Sequence, residues 1–298
     1  MPTTIRIALA AVFLASLSAT ATADENLFGY VRGAEPLPKE AVEFYAIATS
    51  RQGKGEGDYS ALDFEAELEY GATDKLAVSG KLIGLGIDTS GLTIDGYLPK
   101  DEKYSLRFSG ADASIKYNFL TPAHDSVGLA TYTSLTYLTL DPHSGQDKDT
   151  LSFEQILLLQ KYFLEGQMIL AGNLALEATR AERAPIEDLP EGFDWPTEPE
   201  MEIEINAGAG LSYRFLPNWF VGAEAFYSQE NETEVGLERW SLQAGPSLHY
   251  GGAKWWATLT WLPQIKGGGE TYPGQEDTDL HLVEKTQDEY RLKFGLNF

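Results

Sequence analysis

The chain has 298 residues and no cysteine, and its 45 acidic against 22 basic side chains give a formal net charge of −23 at pH 7. So acidic a chain is unsuited to nucleic acid, whose partners are basic, or to attachment to anionic membranes through a polybasic surface. Without cysteine, we predict neither a disulfide framework nor a lipid anchor on an N-terminal cysteine. The aromatic share of 12% argues against a disordered chain.

Residues 1–23 have the pattern of a secretory signal peptide. Arg6 supplies a short positive region, Ile7–Leu17 an apolar run, and small residues precede Asp24. The run is too short for a membrane-spanning helix, and no later stretch reaches the roughly 18 apolar residues that such a helix needs. We therefore predict that residues 1–23 direct export and that residues 24–298 form one domain.

Candidate strands follow in chain order, separated by connections that alternate between short and long. The predicted strands are residues 41–51, 59–70, 75–87, 105–119, 127–140, 151–164, 167–177, 201–215, 219–229, 237–250, 255–264 and 289–298. Short turns alternating with long polar loops are typical of bacterial outer-membrane barrels, with the short turns in the periplasm. We predict an all-β fold: a single transmembrane antiparallel up-and-down β-barrel of about 12 strands in the outer membrane of a Gram-negative bacterium.

The last ten residues, 289–298, alternate without a break between an apolar and a polar face. Strict alternation predicts a strand with one side in lipid. The segment resembles the closing strand of outer-membrane barrels, whose final aromatic the barrel assembly machinery reads. We predict that Tyr290, Phe294 and Phe298 form this assembly signal. The expected partners are that machinery, outer-membrane lipid and lipopolysaccharide.

Charged residues on the polar face of the strands predict the lining of a lumen. The second strand is the clearest case, because four acids alternate with apolar residues along it. A charge in lipid costs about 2–4 kcal/mol for Arg or Lys at the bilayer midplane and less for acids, so these side chains should point inward. The predicted lumen residues are Asp63, Glu65, Glu67, Glu69, Lys81, Arg107, Glu202, Glu204 and Arg214.

Two strands depart from simple alternation. Residues 151–164 are apolar on both faces through Ile156–Leu159, which predicts an apolar contact inside the lumen or an oligomer face. Residues 105–119 change phase near Gly110, as a β-bulge would cause.

Two functions remain open from the sequence. A porin-like channel would pass small solutes with weak cation selectivity, because rings of acids select cations. The alternative is a plugged barrel that serves as a structural or surface-binding protein through its acidic outer loops. Barrel size does not decide between them, since eight strands leave no channel and 16–18 leave a wide one. Residues 24–39, with Pro36 and Pro38, make a poor strand and are predicted to be a lead-in or a plug.

The sequence predicts neither an enzyme nor a metal or cofactor protein. Among four histidines, His143 stands beside Ser144, but no third residue can be identified that would orient the pair for nucleophilic catalysis. The acidic loops could hold Ca²⁺ or Mg²⁺, yet they lack EF-hand spacing.

The start of the predicted mature chain carries a family resemblance. Asn26–Lys39 (NLFGYVRGAEPLPK), Glu43-Phe44-Tyr45 and Leu68–Asp74 (LEYGATD) are similar to a family of uncharacterised proteobacterial outer-membrane β-barrel proteins, which are porin-like. The resemblance implies a barrel fold and an outer-membrane location. It implies no activity.

Overall fold

A computed structural model describes residues 26–232 and 236–298. The predicted signal peptide lies outside these residues. The strands are β1 (Val42–Gln52), β2 (Asp58–Thr73), β3 (Leu76–Ser90), β4 (Lys103–Leu120), β5 (Gly128–Leu140), β6 (Asp147–Phe163), β7 (Met168–Arg183), β8 (Glu200–Leu216), β9 (Trp219–Glu232), β10 (Gly236–Gly251), β11 (Trp255–Gly269) and β12 (Asp288–Asn297). Within these described ranges, no helix is both long and apolar enough to cross a bilayer.

The strands form one closed antiparallel barrel in which each pairs with its neighbours in the sequence. β1 closes against β12, with Glu43 opposite Asn297 and Gln52 opposite Asp288. The predicted fold class and strand number are therefore confirmed. The strands are longer than predicted at the outer rim, where β7 continues to Arg183 and β11 to Gly269. Backbone pairing continues there beyond the lipid-facing residues that mark a strand in the sequence.

The outer face of the barrel is apolar, and its aromatic residues gather at the end that carries the short turns. Around this rim, Trp219 contacts Tyr250, Tyr250 contacts Trp255 and Trp255 contacts Phe294, with ring centroids 4.5–6.0 Å apart. Amphipathic rings favour the membrane–water interface. This girdle therefore marks the periplasmic edge of the lipid-facing band.

The closing strand β12 presents the predicted assembly residues on this outer face. Tyr290 is 46% exposed and Phe298 is 76% exposed, and Phe294 stacks on Trp255. Arg291 and Lys293, which alternate with them, point inward and contact residues of the N-terminal segment. Recognition of the three aromatics by the assembly machinery stays a prediction.

The phase change near Gly110 is a bulge in β4. Ile83 of β3 lies opposite Gly110, but the next residue, Gly84, lies opposite Phe108, so Ser109 is the extra residue. A second register shift follows within β4 towards the outer rim. Strict alternation is therefore lost in the outer part of this strand.

Candidate functional site: an occluded lumen

The segment before β1, residues 26–41, lies inside the barrel. It begins near the periplasmic end of β11, where Asn26 accepts a hydrogen bond from Thr258. It rises to the middle of the lumen at Tyr30–Arg32 and returns to the periplasmic rim, where the Glu40 amide donates to the carbonyl of Gly71. We call residues 26–39 the plug.

The plug is held at its centre by the carboxylate of Glu224 on β9. The backbone amides of Gly29, Tyr30 and Val31 donate to its two oxygens at 2.7, 2.9 and 3.0 Å. Thr260 of β11 donates a fourth hydrogen bond at 2.9 Å. Successive amides that converge on one anion form a nest, and Glu224 is only 2% exposed. The barrel wall thus supplies a buried anion that the plug backbone is shaped to bind.

Side-chain amides of the wall bind the rest of the plug backbone. Asn173 accepts from the Arg32 amide at 2.7 Å and donates to the Arg32 carbonyl at 2.9 Å. Gln160 accepts from the Ala34 amide at 2.6 Å. Lys116 donates to the carbonyl of Glu35. These polar contacts satisfy the backbone of a segment that belongs to no strand.

Apolar contacts of the plug explain the sequence of β6. Ile156 and Leu158 point inward and pack with Ala34, Ala130 and Tyr132. Earlier in the plug, Phe28 and Val31 are each 1% exposed. Of the two predicted explanations for residues 156–159, the structure has the apolar contact inside the lumen.

Burial of the plug also affects its acidic residue. The Glu35 side chain is 7% exposed, and its Oε1 atom has no hydrogen-bond partner within the described chain. Burial raises the pKa of Glu35 to about 7. The closed state therefore favours the protonated carboxyl.

The acids of β2 point inward, and each has a partner on the wall. Arg51 binds Asp63 through two nitrogens at 2.7 and 2.8 Å. Lys81, also inward, lies 3.0 Å from Glu65. Glu67 accepts from Ser79 at 2.6 Å, and Glu69 accepts from Tyr45 at 2.5 Å.

The predicted residues of β8 are also placed on the inner side. Glu202 lies 3.5 Å from Lys148, and Glu204 accepts a hydrogen bond from Ser228. Arg214 lies opposite the buried Phe220 near the periplasmic rim and is partly buried. The wall therefore brings these acids together with basic groups of neighbouring strands.

Arg107 lies near the outer end of β4, opposite the buried Leu85 of β3. Its side chain is 50% exposed and pairs at 3.6 Å with Asp147, which is 70% exposed. The two register shifts in β4 carry this part of the strand beyond its pairing with β5, which begins at Gly110. Arg107 therefore lies at the outer rim of the lumen, and its part in lining a pore stays a prediction.

The outer end of the lumen is covered by loops that fold inward. Leu92, Ile94 and Leu98 of the β3–β4 loop and Val283 of the β11–β12 loop pack on inward-facing side chains of β2 and β3. We call this cluster the lid. Burial lowers the pKa of His281, in the β11–β12 loop, to about 3, and the nearby positive charge of Arg239 acts in the same direction.

One arginine joins the lid to the wall. Arg239 of β10 forms ion pairs with Glu230, Glu238 and Glu284. Carboxylate oxygens of these three residues lie within 4.8 Å of one another, which is close enough for a shared metal ion. Because the guanidinium already binds all three, this cluster is an ion-pair centre.

The histidine–serine pair of the sequence lies within the lid region. Ser144 is fully buried, and its hydroxyl accepts from the Gln146 amide at 3.3 Å. The His143 ring faces Lys54, with 3.4 Å between Nδ1 and Nζ. Burial lowers the pKa of His143 well below its ordinary value. The ring thus contacts a lysine, and the serine hydroxyl is engaged within its own loop.

Two cavities flank the centre of the plug. One, of about 130 Å³, lies against β2 and is lined by Glu65, Glu67 and Lys81. The other, of about 240 Å³, lies against β6–β8 and is lined by Glu154, Asn173 and Asn206. Tyr30, Arg32 and Arg291 line both. Each cavity is polar and large enough for several waters.

The fold is similar to several solved outer-membrane proteins. A COG4313 outer membrane channel from Pseudomonas putida F1 is 11% identical, with a TM-score of 0.53 over 89% of this chain and 98% of that one. The β domain of the Bordetella autotransporter BrkA is 13% identical, with a TM-score of 0.50 over 87% and 100%. A KdgM porin solved with oligogalacturonate is 9% identical, with a TM-score of 0.47 over 87% and 99%.

The first two likenesses establish an outer-membrane barrel fold, and the predicted location agrees with that of these two proteins. In sequence, residues 20–298 match a family of unknown function, DUF6662. No curated protein matches the chain.

Proposed function

The chain belongs to DUF6662, a family of unknown function, and we propose that it is an outer-membrane channel held closed by its own plug. The observation that carries this proposal is the position of residues 26–39 across the lumen, bound at Glu224. Both ends of the plug lie at the periplasmic rim. Withdrawal towards the periplasm would therefore empty the lumen without breaking a strand pair.

The wall behind the plug favours a channel over a permanent structural core. Many inward side chains are polar or charged, as in the acidic column of β2 and the amides that bind the plug. A core needed only for stability would be better filled by apolar groups, since buried charges contribute little net stability. A polar wall would instead hydrate readily when the plug withdraws and water enters the lumen.

An open lumen would favour small cations. Withdrawal of the plug removes the positive charge of Arg32 from the lumen and deprives Glu224 of its three amide donors. The acids of β2 and β8 would remain on the wall. Acidic linings select cations, so the solutes proposed are small and the selectivity weakly cationic. We propose no catalytic role.

A reversible disulfide tests the proposal, because the natural chain has no cysteine. A Cβ atom built on Gly208 would lie 3.1 Å from Cγ2 of Val31. In a disulfide the corresponding sulfur-to-Cβ distance is about 3 Å. A Val31→Cys/Gly208→Cys variant should therefore lock the plug when it is oxidised.

Conductance is then measured in planar bilayers under a salt gradient. The oxidised double variant should be silent, and reduction should restore the openings and cation-selective reversal potential of the unmodified chain. Each single-cysteine variant should be indifferent to the redox state. The channel proposal fails if the reduced double variant, the unmodified chain and a variant with Glu224 substituted to release the plug are all silent. The barrel would then be a plugged structural or surface-binding protein.

A further inference from the structure

Four glutamates form a continuous row across the inner wall. Glu154 of β6 lies directly opposite Glu177 of β7, which lies opposite Glu204 of β8, which lies opposite Glu230 of β9. All four are shielded from solvent to a large extent. Like charges directly opposite one another destabilise a sheet, so nearby positive charge would stabilise the ionised row.

Basic groups form ion pairs at only one end of this row. Glu230 pairs with Arg239, and Glu204 lies 3.7 Å from Lys285. At the other end, Glu177 accepts a hydrogen bond from the neutral Thr179 at 3.2 Å. In residues 26–232 and 236–298, no basic nitrogen lies within salt-bridge distance of Glu154 or Glu177.

A buried oxygen without a partner lies beside this end. Asn206, two residues after Glu204 on the same inward face of β8, is 7% exposed, and its Oδ1 accepts no hydrogen bond from the described chain. It lines the 240 Å³ cavity together with Glu154. The small residues Ala175 and Gly208 also line this cavity and leave space between Asn206 and Glu154. The cavity thus brings an anionic and a neutral oxygen ligand together at the end of the row that forms no ion pair.

Two arginines line the same cavity but are engaged elsewhere. The Arg32 guanidinium lies 4.2 Å from the centre of the Tyr132 ring, and that of Arg291 lies 3.8 Å from the centre of the Tyr30 ring. Stacking on aromatic faces holds both guanidinium groups. Within the part of the chain that the structure describes, neither forms an ion pair with the carboxylate of Glu154 within 4 Å.

We propose that Glu154, Glu177 and Asn206 hold a divalent cation, with Ca²⁺ as the best fit. Carboxylate and amide oxygens are the ligands of hard cations, and Ca²⁺ tolerates an irregular set that waters complete. The cavity has room for those waters. The ion would supply the charge that Arg239 and Lys285 provide at the other end of the row.

Heat unfolding of the refolded full-length barrel tests the site. Saturating Ca²⁺ against a chelator should raise the midpoint by about 5 °C in the unmodified chain. Glu177→Gln and Glu154→Gln should each abolish this shift. In chelator, Glu177→Gln should unfold at a higher temperature than the unmodified chain, because a like-charge contact is relieved.

Glu187→Gln is the matched control, because Glu187 is an exposed acid of the β7–β8 loop. It should leave the Ca²⁺ shift unchanged. Titration calorimetry with CaCl₂ should give one ion per chain, lost in the Glu177 variant. The proposal is overturned if Ca²⁺ leaves the unmodified midpoint unchanged, or if the shift survives in both row variants or disappears in the loop control.

Discussion

Substitution of Glu224 by Gln should release the plug, because it removes the anion that three backbone amides share. The amide group of Gln can keep one acceptor oxygen, which serves the Gly29 amide and Thr260. The other oxygen becomes an NH₂ group that faces the amides of Tyr30 and Val31, at 2.9 and 3.0 Å in the unmodified chain. Two buried donors are left unsatisfied, at about 1–3 kcal/mol each.

The expected loss of closure free energy is therefore about 2–6 kcal/mol. Every 1.4 kcal/mol is about a factor of ten in an equilibrium constant, so the open population should rise by at least about 30-fold. Single-channel recording measures the open probability directly. Thiol labelling of a Val31→Cys reporter measures the same change chemically, since Val31 is 1% exposed when the plug is in place.

Thr260→Val provides a graded control for the Glu224 substitution. It removes one neutral donor to Glu224 and leaves the three backbone amides in place, so it should weaken closure by no more than about 1.5 kcal/mol. The reasoning is refuted if Glu224→Gln refolds to a heat-modifiable barrel with an unchanged open probability and an unchanged labelling rate of the Val31→Cys reporter. Equal effects of the two substitutions would also contradict a dominant role for the amide nest.

Three further predictions concern the lid, the plug and assembly. The closed lid lowers the pKa of His281 to about 3, so the lid should be fully stable above the ordinary histidine pKa of about 6.5 and lose about 2 kcal/mol of stability at pH 5. Hydrogen exchange of residues 276–287, corrected for intrinsic rates, should show lid opening at pH 5, and His281→Asn should reduce that opening. The pKa of Glu35 is raised to about 7, which gives the opposite pH dependence: the free energy of closure by the plug weakens as pH rises from about 4.5 to 7. Glu35→Gln should therefore recover up to about 3 kcal/mol of closure free energy at pH 8, measured as slower labelling of the Val31→Cys reporter. Deletion of Phe298, an exposed terminal aromatic, should lower the amount of assembled barrel in cells and leave refolding into detergent unchanged, whereas equal loss in both would indicate a folding defect.

Alternation was sufficient to predict the strands and most of the wall. In β2, charged and apolar residues alternate strictly from Leu62 to Tyr70. The pattern alone therefore predicts that the four acids Asp63, Glu65, Glu67 and Glu69 point inward. In β4 the change of phase near Gly110 indicates a bulge, but the sequence does not show that Arg107 lies half exposed at the rim beyond it. Periodicity therefore predicts a side-chain direction only as far as the register continues.

The contents of the lumen were much harder to predict than its wall. Glu224 was not singled out, since a lone acid in β9 gives no sign of the three amides that bind it. The sequence offers two signals: Pro36 and Pro38 favour a lead-in or plug over a strand, and the inward apolar pair Ile156 and Leu158 is anomalous for a water-filled lumen and packs on Ala34. Such contacts between distant segments depend on tertiary placement, which local patterns do not encode.

The connection between the plug and β1, at Glu40, determines how an opened barrel would close again. Since the Glu40 amide pairs with the Gly71 carbonyl and β1 is part of the wall, a withdrawn plug remains tethered to the rim. Short tethers give effective concentrations on the order of millimolar, so return to the lumen would be a unimolecular step that does not depend on protein abundance. A lasting open state would then require the withdrawn segment to be captured in the periplasm, and opening would report the presence of whatever captures it.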